Sequence, residues 1–157
     1  MRGIMMNTYM KGFAALAASV LLAQTADAGT NNYTGTGTYL TQELTMNLGN
    51  GQTVFSARSE GMATISTEPP VLLEAKCMGL GLITGDDKFN TKVYCTFRQN
   101  DDDSFDLVAD SGPGGGEAKV IGGSGKWKGA TGTATFERTA TTENGGSFSY
   151  KMTISTP

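Results

Sequence analysis

Residues 71–98 read VLLEAKCMGLGLITGDDKFNTKVYCTFR, and this stretch predicts two antiparallel strands joined by a short turn. The turn sequence TGDDK separates two runs that are rich in apolar and β-branched residues, as hairpins require. A hairpin centred on Asp86 places Cys77 directly opposite Cys95. Opposed positions on neighbouring strands are close enough for a disulfide. The same register puts Glu74 opposite Arg98 on the solvent side.

The N-terminal segment is typical of a secretory signal peptide. Arg2 and Lys11 precede the apolar run GFAALAASVLL, and small residues at 26–28 provide a cleavage point. This run is too short for a membrane anchor, which needs about 20 apolar residues. We therefore expect cleavage after Ala28, export to the periplasm or the medium, no membrane span after cleavage and a single domain over 29–157.

Export also bears on the two cysteines of the chain, Cys77 and Cys95. An even number of cysteines in an exported protein favours a disulfide over two free thiols. Two cysteines without any histidine offer too few ligands for a zinc site. The sequence therefore predicts a disulfide and no metal.

The composition excludes several classes of function. The chain has 157 residues, a net charge of -3 and no histidine. Without a basic surface we expect no nucleic-acid partner. Without histidine, the usual Ser-His and Cys-His nucleophile systems are excluded. The 22 glycines indicate many turns, as in an all-β domain.

The segment before the disulfide hairpin predicts another hairpin. Residues 38–48 alternate between apolar and polar side chains, which is the period of a half-buried strand. Asn50-Gly51 is the dipeptide favoured by a type I′ turn, and a loop of these two residues sets the register. The even positions of 38–48 then face the interior. The register predicts the pairs Met46–Phe55, Leu44–Ala57 and, outside, the ion pair Glu43–Arg58.

Downstream, the sequence predicts further strands and two loops rich in glycine. Residues 111–117 (SGPGGGE) predict a mobile loop, because side chains that could anchor it are few. The loop at 144–146 (NGG) fixes the register of the last hairpin. That register gives the pairs Phe136–Ile154 and Arg138–Met152.

Together these patterns predict eight antiparallel strands in succession and no helix after residue 28. Successive antiparallel strands favour a closed eight-stranded up-and-down β-barrel, because closure removes unpaired edges. A β-sandwich is the alternative. The predicted strands are 38–48, 53–65, 71–83, 91–98, 105–109, 118–121, 133–142 and 148–155.

Residues 120–136 (VIGGSGKWKGATGTATF) contain the most informative motif. They lack the glycine and hydroxyl spacing of a phosphate-binding loop, and no helix follows as in a dinucleotide fold. We predict a tight chain reversal in which Trp127 plugs one end of the barrel, with Lys126 and Lys128 in solvent. The motif residues are Gly122, Gly123, Gly125, Lys126, Trp127, Gly129 and Gly132.

This segment resembles the signature of the allene oxide cyclase and dirigent superfamily, and suggests an exported bacterial member. The superfamily carries Gly-Gly-Thr-Gly-Lys-aromatic followed by Ala-x-Gly; here Ser124 replaces the threonine. The resemblance implies an eight-stranded barrel that forms dimers or trimers. It also implies a small-molecule ligand, since members include plant cyclases, proteins that steer radical coupling and bacterial cyclases. No catalytic residue of the superfamily can be aligned with this sequence.

The predicted interior is apolar and suits a small apolar or phenolic ligand, with no cofactor. Tyr150 is the one candidate proton donor inside. We therefore predict an exported ligand-binding barrel without covalent chemistry. The alternatives are a cyclase or isomerase that uses the cavity as a mould, and a packed-core interaction protein of the envelope. The predicted cavity residues are Leu44, Met46, Phe55, Phe97, Tyr150 and Met152.

Overall fold

The computed structural model describes residues 29–84 and 88–157, which form a closed barrel of eight antiparallel strands. The strands follow one another around the barrel in chain order, as predicted. The predicted signal peptide and its cleavage point lie outside the described residues. The strands are β1 (Gly29–Gly49), β2 (Gln52–Ile65), β3 (Val71–Thr84), β4 (Lys88–Arg98), β5 (Ser104–Gly112), β6 (Gly115–Ser124), β7 (Thr131–Thr142) and β8 (Gly145–Thr156).

The long first strand closes the barrel. β1 has 21 residues and pairs with β8 through residues 29–40 and with β2 through residues 35–49. Every strand therefore has two hydrogen-bonded neighbours, which excludes the β-sandwich. Among the described residues the only helix is a 3₁₀ helix at Gly125–Trp127.

The predicted β3–β4 hairpin is confirmed. Cys77 lies opposite Cys95 and forms a disulfide with it, at a Cα–Cα distance of 4.1 Å. Glu74 lies opposite Arg98, again as predicted. The nearest ion-pair partner of Glu74 is Lys76, at 2.8 Å. The Lys76 ammonium, more than Arg98, holds the pKa of Glu74 below its usual value.

The predicted β1–β2 register is wrong by one residue. Thr45, not Met46, lies opposite Phe55, because the ladder shifts between Asn47 and Gly49. At this shift the backbone N–H of Gly49 donates to Oδ1 of Asn47. A slip of one residue turns every side chain of a strand to the opposite face. The even positions of β1 therefore face solvent, and the predicted Glu43–Arg58 pair does not form; Arg58 pairs with Glu60 at 2.5 Å.

Two further predictions about turns are corrected. The 111–117 segment is not a long loop: β5 and β6 extend into it and leave only Pro113 and Gly114 between them. In the β7–β8 hairpin, Phe136 pairs with Tyr150 and Arg138 with Phe148, because the strands extend to a tight turn at 143–144 and the ladder shifts at residue 139. The observed partners on β8 lie four residues before the predicted ones. Because four is an even number, each side chain still lies on the predicted face of the sheet.

One end of the barrel is filled by the largest buried side chains. Phe105 packs against Trp127 at 5.4 Å between ring centroids, and Tyr33 also contacts the indole edge-on, at 6.0 Å. Ile65 and Ile154 complete this closed end. No helix among the described residues is long and apolar enough to cross a membrane.

Candidate functional site

A cavity of about 170 Å³ lies inside the barrel above the closed end. It is lined by side chains from the inward positions of most strands. An artificial protein cavity of about 150 Å³ is large enough to bind benzene, so this volume suits one aromatic ring. The large side chains around it are Phe97, Phe105, Leu107, Phe136, Phe148, Tyr150 and Met152.

A second cavity, of about 480 Å³, continues from the first toward the opposite end of the barrel. Tyr39, Ser59, Val93 and Arg138 line both cavities, so the two spaces adjoin. The outer cavity is more polar because threonines and glutamates join its wall. Its polar residues include Thr41, Glu43, Thr91, Ser111, Thr141, Thr142 and Glu143.

The predicted cavity residues divide into two groups. Phe97, Tyr150 and Met152 line the inner cavity, and Phe55 lines the outer one. Leu44 and Met46 do not line either cavity: they are 79% and 60% exposed on the outer surface. Their misplacement follows from the one-residue shift in β1. The residues of β1 on the face toward the core and the cavities are instead Tyr33, Gly35, Gly37, Tyr39, Thr41 and Glu43.

Two glycines of β1 make room for aromatic rings. A Cβ on Gly35 would lie 2.6 Å from the Tyr150 ring, and one on Gly37 would lie 2.4 Å from the Phe148 ring. Real Cβ atoms do not approach so closely, so these positions need glycine for the rings to lie against the strand. The glycines thus set how far Tyr150 and Phe148 lie from the barrel axis.

Tyr150 is held as a neutral phenol. Its hydroxyl donates a hydrogen bond to the carbonyl of Thr64 at 3.1 Å. Burial raises the pKa of Tyr150 to about 12. At neutral pH the phenol therefore keeps its proton, and its oxygen can accept a hydrogen bond from a ligand. A general acid works best with a pKa near the working pH, so this environment does not favour proton transfer.

Arg138 is the one cationic side chain among the described residues that line the inner cavity. Nη1 donates to the carbonyls of Gly112 and Pro113, the latter at 3.0 Å. Nη2 donates to Oγ of the buried Ser111 at 3.3 Å. The guanidinium carbon lies 5.3 Å from the Phe89 ring centroid, within cation–π range. Sequence reasoning placed Arg138 on the right face but did not select it as a site residue.

The glycine-rich motif lies at the closed end of the barrel, away from both cavities. Trp127 is only 6% exposed, and its Nε1 has no hydrogen-bond partner among the described residues. The ammonium of Lys126 bonds to Gln99 Oε1 and lies 5.2 Å from the Trp127 ring centroid. The remaining motif glycines, Gly122, Gly123, Gly129 and Gly132, flank the 3₁₀ helix.

The outer surface of β1–β4 carries an unusual number of large apolar side chains. Met46 and Leu82 flank Val54 across three strands, and Met78 lies opposite Tyr94. Among the described residues, all exposed large apolar side chains except Ile121 belong to these four strands. We define the outer apolar face as Leu44, Met46, Met78, Leu80, Leu82 and Tyr94.

In the described part of the chain, no group of three or more His, Cys, Asp or Glu residues could hold a metal ion. The arrangement can bind, orient and desolvate a small molecule, with Arg138 and the Tyr150 hydroxyl as its polar contacts.

Fold and cavity together define an eight-stranded dirigent-type barrel. Two solved structures share it: the pterocarpan synthase dirigent proteins PsPTS1 and GePTS1, each with a TM-score of 0.54. PsPTS1 is 11% identical over 81% of this chain and 95% of its own, and GePTS1 is 12% identical over 94% of this chain and 98% of its own. At such identities the likeness concerns the fold. No family model and no curated protein match the sequence.

Proposed function

We propose that this protein is an exported barrel that binds a small apolar or phenolic molecule in its interior without covalent chemistry. The observation that carries the proposal is the interior space: the ring-sized inner cavity opens into a larger, more polar one. Such an arrangement of apolar walls with few polar contacts is typical of small-molecule sites. The disulfide and the N-terminal sequence support export.

Filling the inner cavity tests this proposal. Ala134 lines it, so Ala134→Phe introduces a ring into the space that the ligand would occupy. The matched control is Ala140→Phe on the same strand, where the side chain is exposed. Native mass spectrometry of the protein purified from its own envelope would identify the co-purified small molecule. We expect the wild type and Ala140→Phe to carry it and Ala134→Phe to lose it; equal occupancy in all three would refute an interior site.

A cyclase or isomerase is the second candidate function. Because Tyr150 stays neutral, such an enzyme would act by holding its substrate and not by proton transfer from this residue. Holding a flexible apolar substrate in a reactive shape needs no proton transfer from the wall. The two structurally similar proteins are described as pterocarpan synthases, which supports an enzymatic function as the second candidate. Turnover of the co-purified molecule, abolished by Ala134→Phe, would establish it. The interior cavities favour both ligand hypotheses over a packed-core interaction protein.

We also propose that the barrel forms homo-oligomers through the outer apolar face. Contiguous exposed apolar surface on a barrel marks an interaction site. The charges beside it are already paired, Arg58 with Glu60, Lys76 with Glu74 and Lys92 with Asp110. An apolar face whose neighbouring charges are already paired complements a second copy of itself better than a charged partner.

A further inference from the structure

The outer cavity contains a cation without an acidic partner. Arg138 forms no ion pair with any described residue, although Glu43 and Glu143 line the same cavity. Both glutamates are exposed at the rim. A positive charge that faces an interior space without a counter-ion attracts an anionic group.

The guanidinium is held in place by neutral acceptors. The carbonyls of Gly112 and Pro113 and the hydroxyl of Ser111 accept three of its five N–H bonds. Phe89 covers one face of the group. Because these contacts neutralise no charge, they orient Arg138 and leave its positive charge available.

The N–H groups of Arg138 that have no acceptor are arranged to bind a carboxylate. Within the described part of the chain, Nε–H and one N–H of Nη2 have no acceptor among the contacts of Arg138. Nε and Nη2 are adjacent nitrogens that can form two parallel hydrogen bonds with one carboxylate. Phe89 lowers the local exposure to water, which strengthens such a pair.

We propose that the ligand is a small organic acid whose carboxylate binds Arg138 while its apolar part, about one aromatic ring, fills the inner cavity. This inference rests on the proposed function and adds the anionic group to it. Arg138 lines both cavities, so a ring in the inner cavity places a short acidic side chain beside the guanidinium. The Tyr150 hydroxyl oxygen then offers an acceptor to a hydroxyl group on the ring.

Calorimetric titration with two matched probes tests the inference. 3-Phenylpropanoate carries the carboxylate, and 3-phenylpropanamide has the same shape without the charge. We expect the wild type to bind the acid about ten-fold more tightly than the amide, as charged hydrogen bonds predict. Arg138→Gln should remove this preference by weakening the acid alone. Arg98→Gln, on the outer surface, should bind both probes as the wild type does.

Binding of the amide by Arg138→Gln also shows that the variant is folded. If that variant does not fold, added salt gives a second measurement on the wild type: it should weaken the acid and leave the amide unchanged. Equal affinity for both probes in the wild type, or no effect of Arg138→Gln on the acid, overturns the inference and leaves the proposed function standing. If neither probe binds, the inference is overturned, whereas the proposed function is decided separately by the co-purified molecule in the wild type and in Ala134→Phe.

Discussion

The backbone N–H of Lys126 donates a hydrogen bond to Oδ1 of Asp103 at 2.9 Å, which joins the turn after β4 to the 3₁₀ helix. Asn100 supports the same carboxylate through its side-chain amide at 3.1 Å. The Lys126 N–H, followed by the Asn100 amide, holds the pKa of Asp103 below its usual value. This contact between two turns fixes the position of Trp127 at the closed end.

Gly125 is essential to that contact. Its φ is +55°, and a Cβ there would lie 2.1 Å from Oδ1 of Asp103. We expect Gly125→Ala to destabilise the protein by about 1–3 kcal/mol, because it combines backbone strain with loss of the hydrogen bond. Urea unfolding measures this. Gly114→Ala is the control, since a Cβ there meets nothing within 4 Å; equal losses in the two variants would contradict the explanation.

Removal of the disulfide should destabilise the barrel without changing its fold. The bridge closes a segment with a sequence separation of 18, which is worth about 3 kcal/mol in the chain-entropy model. The free energy of unfolding of Cys77→Ala/Cys95→Ala should be lower by that amount, so the double variant should unfold at a lower urea concentration. A reductant should shift the wild type in the same direction and leave the double variant unchanged. A shift of the double variant by reductant would point to another cause.

The buried phenol of Tyr150 should make the folded state sensitive to alkali. Burial raises the pKa of Tyr150 in the folded protein to about 12, above the usual 10.0 of a tyrosine phenol. A group with a raised pKa contributes stability that is fully present below the unfolded pKa and is lost as pH rises toward the folded one. We expect the free energy of unfolding to fall between about pH 10 and 12 more steeply in the wild type than in Tyr150→Phe. Urea unfolding at several pH values measures both, and parallel curves would contradict the prediction.

Self-association should depend on the outer apolar face. Leu44 and Leu80 lie on either side of Ser56 across three strands. We expect Leu44→Asp/Leu80→Asp to give monomers in analytical ultracentrifugation, because two charges would have to be buried in the interface. Ile121→Asp is the control, since Ile121 is an exposed apolar residue on β6. A monomeric wild type, or an oligomer that survives the double substitution, would refute the proposed interface.

The β3–β4 hairpin could be derived from sequence because two independent constraints agree. The turn composition centres the hairpin near Asp86, and the opposed cysteines fix its register to a single residue. The Asn50-Gly51 turn lacked a second constraint. Sequence patterns do not reveal an irregularity such as the register shift between Asn47 and Gly49. That shift moves every side chain of β1 to the opposite face of the sheet.

The inversion of β1 did leave a signal in the sequence. Tyr33, Gly35, Gly37 and Tyr39 share the odd positions, where glycines allow close packing of aromatic rings. The apolar residues at even positions are more numerous, and an alternation rule assigns them to the core. They lie outside, so apolar alternation alone cannot distinguish an interior face from an exposed apolar face.

Arg138 was missed for a different reason. An arginine among threonines on a strand is usually a solvent-exposed residue, and nothing in the local sequence predicts the carbonyls of Gly112 and Pro113 beside it. Those carbonyls belong to the last residue of β5 and to the turn after it, a region that the sequence predicted as a longer loop. The site therefore depends on a contact between two hairpins that neither sequence segment reveals.

Closure of the barrel by β1 and β8 has a consequence for synthesis. Thr30 and Ser155, whose hydroxyl groups are 2.7 Å apart, are separated by 125 residues of chain. Contacts of such long range form slowly, because a large loop must be closed first. β2 follows β1 directly and can pair with residues 35–49, but the edge of β1 that pairs with β8, at residues 29–40, must stay unpaired until the last strand has been made. The β3–β4 hairpin, by contrast, pairs residues that are close in sequence, so its strands can pair early.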